Sequence, residues 1–271
     1  MIRCRVNGAI SVISAFATGI GSSLAIDLPL YVDADASSKE YMRNSVIGKI
    51  LESADAEYRT GKKFKISVHS TIPQGKGLKS SSALVIAVLF AVFKISGIRV
   101  DNTAFLETCS SVSVDAGISI TGALDDLTAC YFGGLSLCDN RAGRIISRHD
   151  PPEETLAILY PQEERLSSSM GSHDWRSIKD KFGNLLELVL DGNYREAMIR
   201  NGELVSSMTG DYPELKKRLK QITGGTAFQS GKGPAIVSFA ENPIVLREYP
   251  KHAEGFIVTR VSNKGVEVVP V

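Results

Sequence analysis

The sequence predicts an α+β protein of two domains, and three observations lead there. The first hundred residues read as strand, strand, helix, strand, glycine-rich turn and buried helix, a mixed order that places helices on one face of a sheet. Asp150-Pro151-Pro152 is the strongest linker signal in the chain and divides residues 1–150 from residues 151–271. Beyond it a second succession of strand, helices, strand, helix and strand fits an α+β sandwich.

The elements follow in order. Residues 4–16 are rich in β-branched and small side chains, and Leu24 to Val32 alternates well enough for a second strand. The turn Thr18-Gly19-Ile20-Gly21-Ser22-Ser23 joins them as a hairpin, with a ligand-contacting loop as the second account. Ser37, Ser38 and Glu40 offer a helix start, and Tyr41, Val46, Ile50, Leu51 and Ala54 continue at near-helical spacing to Tyr58, before Gly61. Phe64 to Ser70 alternates apolar with polar and reads as a half-buried strand. Asp101 opens a further helix to about Val114, and Gly133-Gly134, a short apolar strand and Asn140-Arg141-Ala142-Gly143 suggest a hairpin. In the second half, 155–160, 235–239 and 255–259 read as strands. The segments 173–190, 194–208 and 213–222 read as helices, and 241–249 as a helix between the last two strands.

The chemistry concentrates in Thr71 to Phe93, TIPQGKGLKSSSALVIAVLFAVF. Gly75 and Gly77 can adopt positive φ and let backbone N–H groups approach an anion, while Pro73 stiffens the way in. Ser80, Ser81 and Ser82 stand where a helix should begin, a position that favours serine caps. The orphan N–H donors of that first turn, the dipole's charge of about +0.5, and Lys76 and Lys79 suit the same place to phosphate. Every residue from Ala83 to Phe93 is apolar, so the helix has no solvent face, and the run is shorter than the roughly 20 residues a bilayer requires. The P-loop pattern G-x-x-x-x-G-K-[ST] is absent. Its nearest imitation, Gly225 to Gly233, is one residue too long and ends on glycine where a hydroxyl should hold magnesium. Gly224-Gly225 and Gly231-Lys232-Gly233-Pro234 read as a glycine-rich loop of the second domain or a hairpin turn.

Asp115 to Gly134 contains a second chemical signal, Asp125-Asp126 after a small-residue segment with Gly117 and Gly122. Adjacent acids repel when desolvated unless a metal or lysine meets one, and an acid beside a bound hydroxyl can accept its proton. An aspartate N-cap with a solvated neighbour is the structural reading of the same pair.

A formal net charge of +1 with both signs scattered gives no electrostatic reason to expect nucleic acid or membrane partners. Cys4, Cys109, Cys130 and Cys138 lack zinc-site spacing and read as reduced core residues. The N-terminal segment carries no signal-peptide pattern, which points to the cytoplasm. His69, His149, His173 and His252 are scattered and read as structural or surface residues, and Trp175 as a packing residue.

Three glycine-rich or acidic segments in this order resemble the galactokinase, homoserine kinase, mevalonate kinase and phosphomevalonate kinase superfamily, the GHMP kinases, over nearly the whole chain. Pro73-Gln74-Gly75-Lys76-Gly77-Leu78-Lys79-Ser80-Ser81-Ser82-Ala83 resembles the family's second motif, P-x-x-x-G-L-x-S-S-A, with one further serine before the alanine, and Gly231-Lys232-Gly233-Pro234-Ala235 is similar to the third. Ile120 to Asp126 and the form G-K-G-L-K-S-S-S look like the archaeal-type shikimate kinases.

The resemblance implies a two-domain GHMP kinase fold, with an N-terminal mixed α/β ATP-binding domain and a C-terminal ferredoxin-like α+β sandwich. It implies ATP-dependent phosphorylation of a shikimate hydroxyl on the route to aromatic amino acids, with ATP held by residues 73–82 and Mg2+ by Ser81 or Ser82. Asp126, seven residues before Gly133, matches the family's catalytic aspartate, with Asp125 as the substitute. Asp115, eleven residues before Asp126, takes the place of a glutamate magnesium ligand found in some members. Thr18, Gly19, Gly21, Asp125, Gly231 and Gly233 are the expected acceptor contacts. The first motif departs from the resemblance, because Ile20 stands where shikimate kinases of this type carry a lysine. Another GHMP kinase, a nucleotide or metabolite sensor without catalysis, and a nucleic-acid module motivated by the GKGLK turn are the competing readings.

Overall fold

The computed structural model describes residues 1–37, 45–165, 170, 173–241 and 255–271. Strands β1 (Ile2–Ile13) and β2 (Ile20–Ser37) form the expected hairpin, and both run longer than sequence alternation indicates. β2 is long enough to serve two further partners besides β1. Residues 20–24 pair with β4 (Leu135–Asp139), and residues 30–37 pair with β3 (Lys63–Ser70). β5 (Arg144–His149) extends the sheet beyond β4.

On this sheet lies α2 (Ser80–Ser96), whose nearly all-apolar sequence is matched by burial from Ser82 through Phe93 apart from the part-buried Leu84 and Phe90. It packs against β1 and β2 and ends on Gly97 at φ 71°. α1 (Val46–Tyr58) starts from a Ser45 cap rather than at residue 37, and the predicted start at Ser38 and Glu40 lies outside the described residues. α3 (Asn102–Asp115) opens on the predicted Asp101, whose side chain accepts from Ala104 N. α4 (Leu124–Phe132) carries the acidic pair in its first turn.

The second sheet is antiparallel, with β6 (Thr155–Leu159), β7 (Ala227–Gln229), β8 (Ile236–Phe239) and β9 (Phe256–Arg260) in the order β7-β8-β6-β9. The third strand of this unit lies beside the first, with the second and fourth at the edges, the order of a ferredoxin-like sheet. Alternation gives the sheet two apolar faces. Leu156, Ile158 and Val237 join the main core, while Ala157, Leu159 and Ile236 form a smaller cluster with Leu219 of α7 (Pro213–Thr223). The segment 173–190 divides into a 3-10 helix, Trp175–Phe182, and α5 (Gly183–Leu190), followed by α6 (Tyr194–Thr209). The predicted helix at 241–249 lies almost wholly outside the described residues.

After β9 the chain leaves the second sheet, and β10 (Glu267–Val269) pairs with β1. The first sheet therefore takes a strand from residues that the division at Pro151 assigns to the second unit. The main hydrophobic core also continues across both sheets. Among the described residues no helix is long and apolar enough to cross a membrane. All four cysteines are buried and unpaired, as their spacing indicates.

Candidate active site

The N-termini of α2 and α4 meet through a salt bridge, Lys79 Nζ to Asp126 Oδ1 at 2.9 Å. Both helices begin in an unusual way. Their N-cap residues, Lys79 at φ 62° and Ala123 at φ 50°, are left-handed and make no side-chain cap. Only three non-glycine residues among those described have positive φ, and two of them stand here. A left-handed L-residue costs about 1–2 kcal/mol, a strain that proteins tend to keep at functional positions. Ser80, Ser81 and Ser82 therefore lie inside the first turn of α2 rather than capping it, and Lys79 takes the cap position expected of a serine.

A cavity of about 340 Å3 opens at this junction. Lys79, Ser80, Ser81 and Ser82 line one side, Asp125 and Asp126 another, and Gly231 and Lys232 close it from the loop between β7 and β8. Ile13, Phe16, Val46, Leu84, Ile118 and Ile120 supply apolar wall. Phe16 is braced by Trp175, stacked at 5.0 Å between ring centroids.

The two aspartates occupy different environments. Asp125 is 5% exposed, and its Oδ1 accepts from Asn140 Nδ2 at 2.8 Å. Asn140 Oδ1 accepts in turn from Asp125 N at 3.2 Å, so the turn after β4 clamps the first turn of α4. The strand period puts Gly21 and Ser23 of β2 on one face, below α4. A Cβ on Gly21 would stand 2.5 Å from Asp125 Cγ, so only glycine leaves room for that carboxylate. Ser23 Oγ donates to Asp126 Oδ1 at 2.6 Å and stands 3.4 Å from Asp125 Oδ2. Burial first, and then the Asp126 carboxylate, push the Asp125 carboxyl up to about 7, against Lys79 and Asn140. Burial opposes the charge on Lys79, but the two carboxylates outweigh it and hold its ammonium above the ordinary lysine range.

The remaining predicted residues divide clearly. Gly75 and Gly77 line the cavity at φ 65° and 80°, and their bare Cα atoms also admit neighbours. A Cβ would meet Glu164 Cβ at 2.8 Å from Gly75 and Ser230 O at 2.5 Å from Gly77. Pro73, Gln74, Lys76 and Leu78 do not line it. Lys76 is 6% exposed and its Nζ donates to the carbonyls of Gln162 (2.7 Å) and Glu163 (2.5 Å), so its charge fastens the glycine turn to the segment after β6. The expectation of Lys76 as a phosphate helper is corrected accordingly. Asp115, at the exposed end of α3, does not line this cavity, although Ser113 and Ala116 beside it do.

Among the expected acceptor contacts, Asp125 and Gly231 line the cavity, whereas Thr18, Gly19, Gly21 and Gly233 do not. Thr18 Oγ1 accepts from Ile20 N at 3.1 Å, Gly19 lies under Arg141, Gly21 under Asp125, and Gly233 against Gln229. Sequence reasoning missed Ser23, Asn140 and Lys232. The first two reach Asp125 and Asp126 only through sheet pairing, and the glycine-rich pattern around Lys232 assigns no role to the lysine itself.

Comparison with known proteins agrees with this geometry. A shikimate kinase of Thermoplasma acidophilum is 33% identical over 97% of this chain and 96% of its own length. The chain belongs to the GHMP kinases. The model of the GHMP kinases N terminal domain matches residues 44–134 of this GHMP kinase, the stretch that carries both α2 and α4. A shikimate kinase of Pyrococcus abyssi is 32% identical over 88% of the chain and 91% of its own length. The homoserine kinase of Cytophaga hutchinsonii superposes with a TM-score of 0.74 at 16% identity, covering 99% of this chain and 97% of that one, and shares its fold.

Proposed function

We propose that this GHMP kinase transfers the terminal phosphoryl group of ATP to a hydroxyl of shikimate, giving shikimate 3-phosphate. The observation that carries the kinase chemistry is the Lys79–Asp126 pair beside the uncapped N-terminus of α2. The choice of shikimate rests on the named relatives that match over most of the chain. Residues 1–150 form the nucleotide-binding unit in this reading and residues 151–271 the second unit, whose last strand returns to the first sheet.

The residues fit a nucleotide with its magnesium. The first turn of α2 offers backbone donors without a side-chain cap and without an acid in that turn, so phosphate finds both hydrogen bonds and a favourable dipole there. The apolar wall around Val46 and Ile120, both exposed, suits the flat face of a base. Mg2+ keeps several waters and takes few protein oxygens beside phosphate, and the hydroxyl of Ser82 or Ser81 is assigned to it. Bound Mg·ATP supplies the phosphoryl group and neutralises charge on it.

The chain's own groups do the rest. Asp126 accepts the proton of the attacking hydroxyl. Lys79 and Ser23 hold its carboxylate in place. Asp125 positions the first turn of α4 through Asn140 and presents a second carboxyl to the cavity. Gly231 contributes backbone to the wall facing these groups.

The deciding experiment measures ADP release by the purified protein with Mg·ATP and, separately, shikimate, homoserine, mevalonate and galactose. Turnover with shikimate alone is the expected result. Turnover with another acceptor overturns the substrate, and ATP binding with no turnover at all overturns the enzyme reading in favour of a sensor.

A further inference from the structure

The loop Ser230 to Pro234 is fastened on several sides. Ser230 Oγ donates to Gly77 O at 2.9 Å, Ala235 N donates to Lys76 O at 3.1 Å, and Ser11 N donates to Ser230 Oγ at 3.2 Å. Arg165 Nη1 donates to Lys232 O at 3.2 Å, and the same guanidinium binds Tyr212 OH at 2.6 Å. The backbone that carries Lys232 is thus docked onto the glycine turn preceding α2.

Lys232 lines the same cavity as Lys79, Ser80, Ser81, Ser82 and Asp126, and its ammonium is close enough to Lys79 and Asp126 to feel both charges. A Cβ placed on the neighbouring Gly231 would lie 3.7 Å from Lys79 Nζ, so the two lysine-bearing segments face each other closely. Lys79 is engaged by Asp126, and Lys232 brings a second positive charge to the same end of the cavity. Burial chiefly, then repulsion by Lys79, lower the Lys232 ammonium to about 8, with Asp126 acting the other way. Two lysines facing one cavity beside a helix N-terminus are relieved by an anion between them.

We propose that Lys232 binds the terminal phosphoryl group of ATP and follows it during transfer, as the second lysine of a pair with Lys79. The assignment rests on the kinase reading above and adds to it a side chain from the second glycine loop. A lysine is a compact point charge, which suits a group whose charge is spread over three oxygens during transfer. The position beside Lys79 and the first turn of α2 favours this group over a carboxylate on the acceptor.

The test compares ATP and ADP affinity by titration calorimetry, with no acceptor present, for the wild type, Lys232→Met and Lys232→Arg. A charge-assisted contact to the terminal group predicts that Lys232→Met weakens ATP by about tenfold or more and leaves ADP within about twofold. Lys232→Arg should retain most of the discrimination. On the wild type, acylation of Lys232 followed by peptide mass spectrometry should be blocked by ATP and not by ADP, a readout that needs no variant. Equal losses for ATP and ADP, unchanged ATP affinity with a raised acceptor KM, or equal protection by the two nucleotides would overturn the proposal. A protein that binds ATP with this discrimination but ignores shikimate retains Lys232 in its role and loses only the acceptor, so the two failures are separable.

Discussion

The carboxylate of Asp126 and the ammonium of Lys79 are 2.9 Å apart, and this one contact joins the beginnings of two helices that lie 44 residues apart between their first residues, Ser80 and Leu124. Both groups are mostly shielded, at 15% side-chain exposure each. Such a pair fixes geometry strongly, because removing either partner leaves the other charge poorly compensated.

Asp126→Asn should lower kcat by roughly 10²-fold or more, the scale of general-base catalysis, and change ATP affinity little. Lys79→Met should also lower kcat, and the double variant should lose far less than the product of the two, since residues acting as a unit are not additive. Steady-state kinetics on the three proteins check this. Wild-type turnover in Asp126→Asn would exclude that residue as the proton acceptor.

Ser82 is buried and Ser81 exposed at the start of α2, and both hydroxyl-bearing residues line the cavity. Ser82→Ala should raise the Mg2+ concentration needed for half-maximal rate, whereas Ser81→Ala should leave it near wild type. A magnesium titration of the rate distinguishes them. The reverse result transfers the metal contact to Ser81.

Much of this arrangement was legible in the sequence where it depends on local pattern. The apolar run of α2, the Asp101 cap of α3 and the order of the first strands and helices, from β1 to α3, follow from periodicity and capping. Asp126 and the serine cluster were legible through a resemblance of motif. What escaped depends on distant pairing. Ser23 reaches the aspartates because β2 pairs with β4 at Ser23 and Ser136, a contact across more than a hundred residues. Lys76 was misread because a glycine turn does not reveal which of its lysines turns inward, and the carbonyls that capture it belong to Gln162 and Glu163. The relation of Asp115 to Asp126 was not legible because the irregular segment between α3 and α4 breaks any helical spacing over those eleven residues.

Gly21→Ala is the sharpest test of the floor under the site. The added Cβ would meet the Asp125 carboxylate at 2.5 Å, and that carboxylate is held by Asn140, so strain must move one of them. A loss of about 1–3 kcal/mol of stability, the usual range for overpacking, should accompany a reduced kcat. Denaturant unfolding with kinetics on the same preparation measures both. Gly143→Ala is the control, because a Cβ there meets nothing within 4 Å although its φ of 62° imposes ordinary left-handed strain.

Asp125 makes stability depend on pH in a definite direction. Its carboxyl rises from an ordinary 3.8 to about 7, mainly through burial and then through Asp126. Between those values the folded protein holds a proton that the unfolded chain releases, so stability falls as pH rises through this window and levels off above about 7. Lys232 works in a separate window: its lowered ammonium, at about 8 against an ordinary 10.5, makes stability rise with pH between those values. Urea unfolding at pH 5, 6, 7 and 8 should therefore show a decline for the wild type. Asp125→Asn removes the buried charge and keeps a carbonyl to accept from Asn140, so its curve should be flatter and its stability at pH 8 higher than that of the wild type. Identical slopes in the two proteins would mean that Asp125 titrates as an ordinary aspartate, with water or a shift of Asn140 relieving the burial that holds its proton.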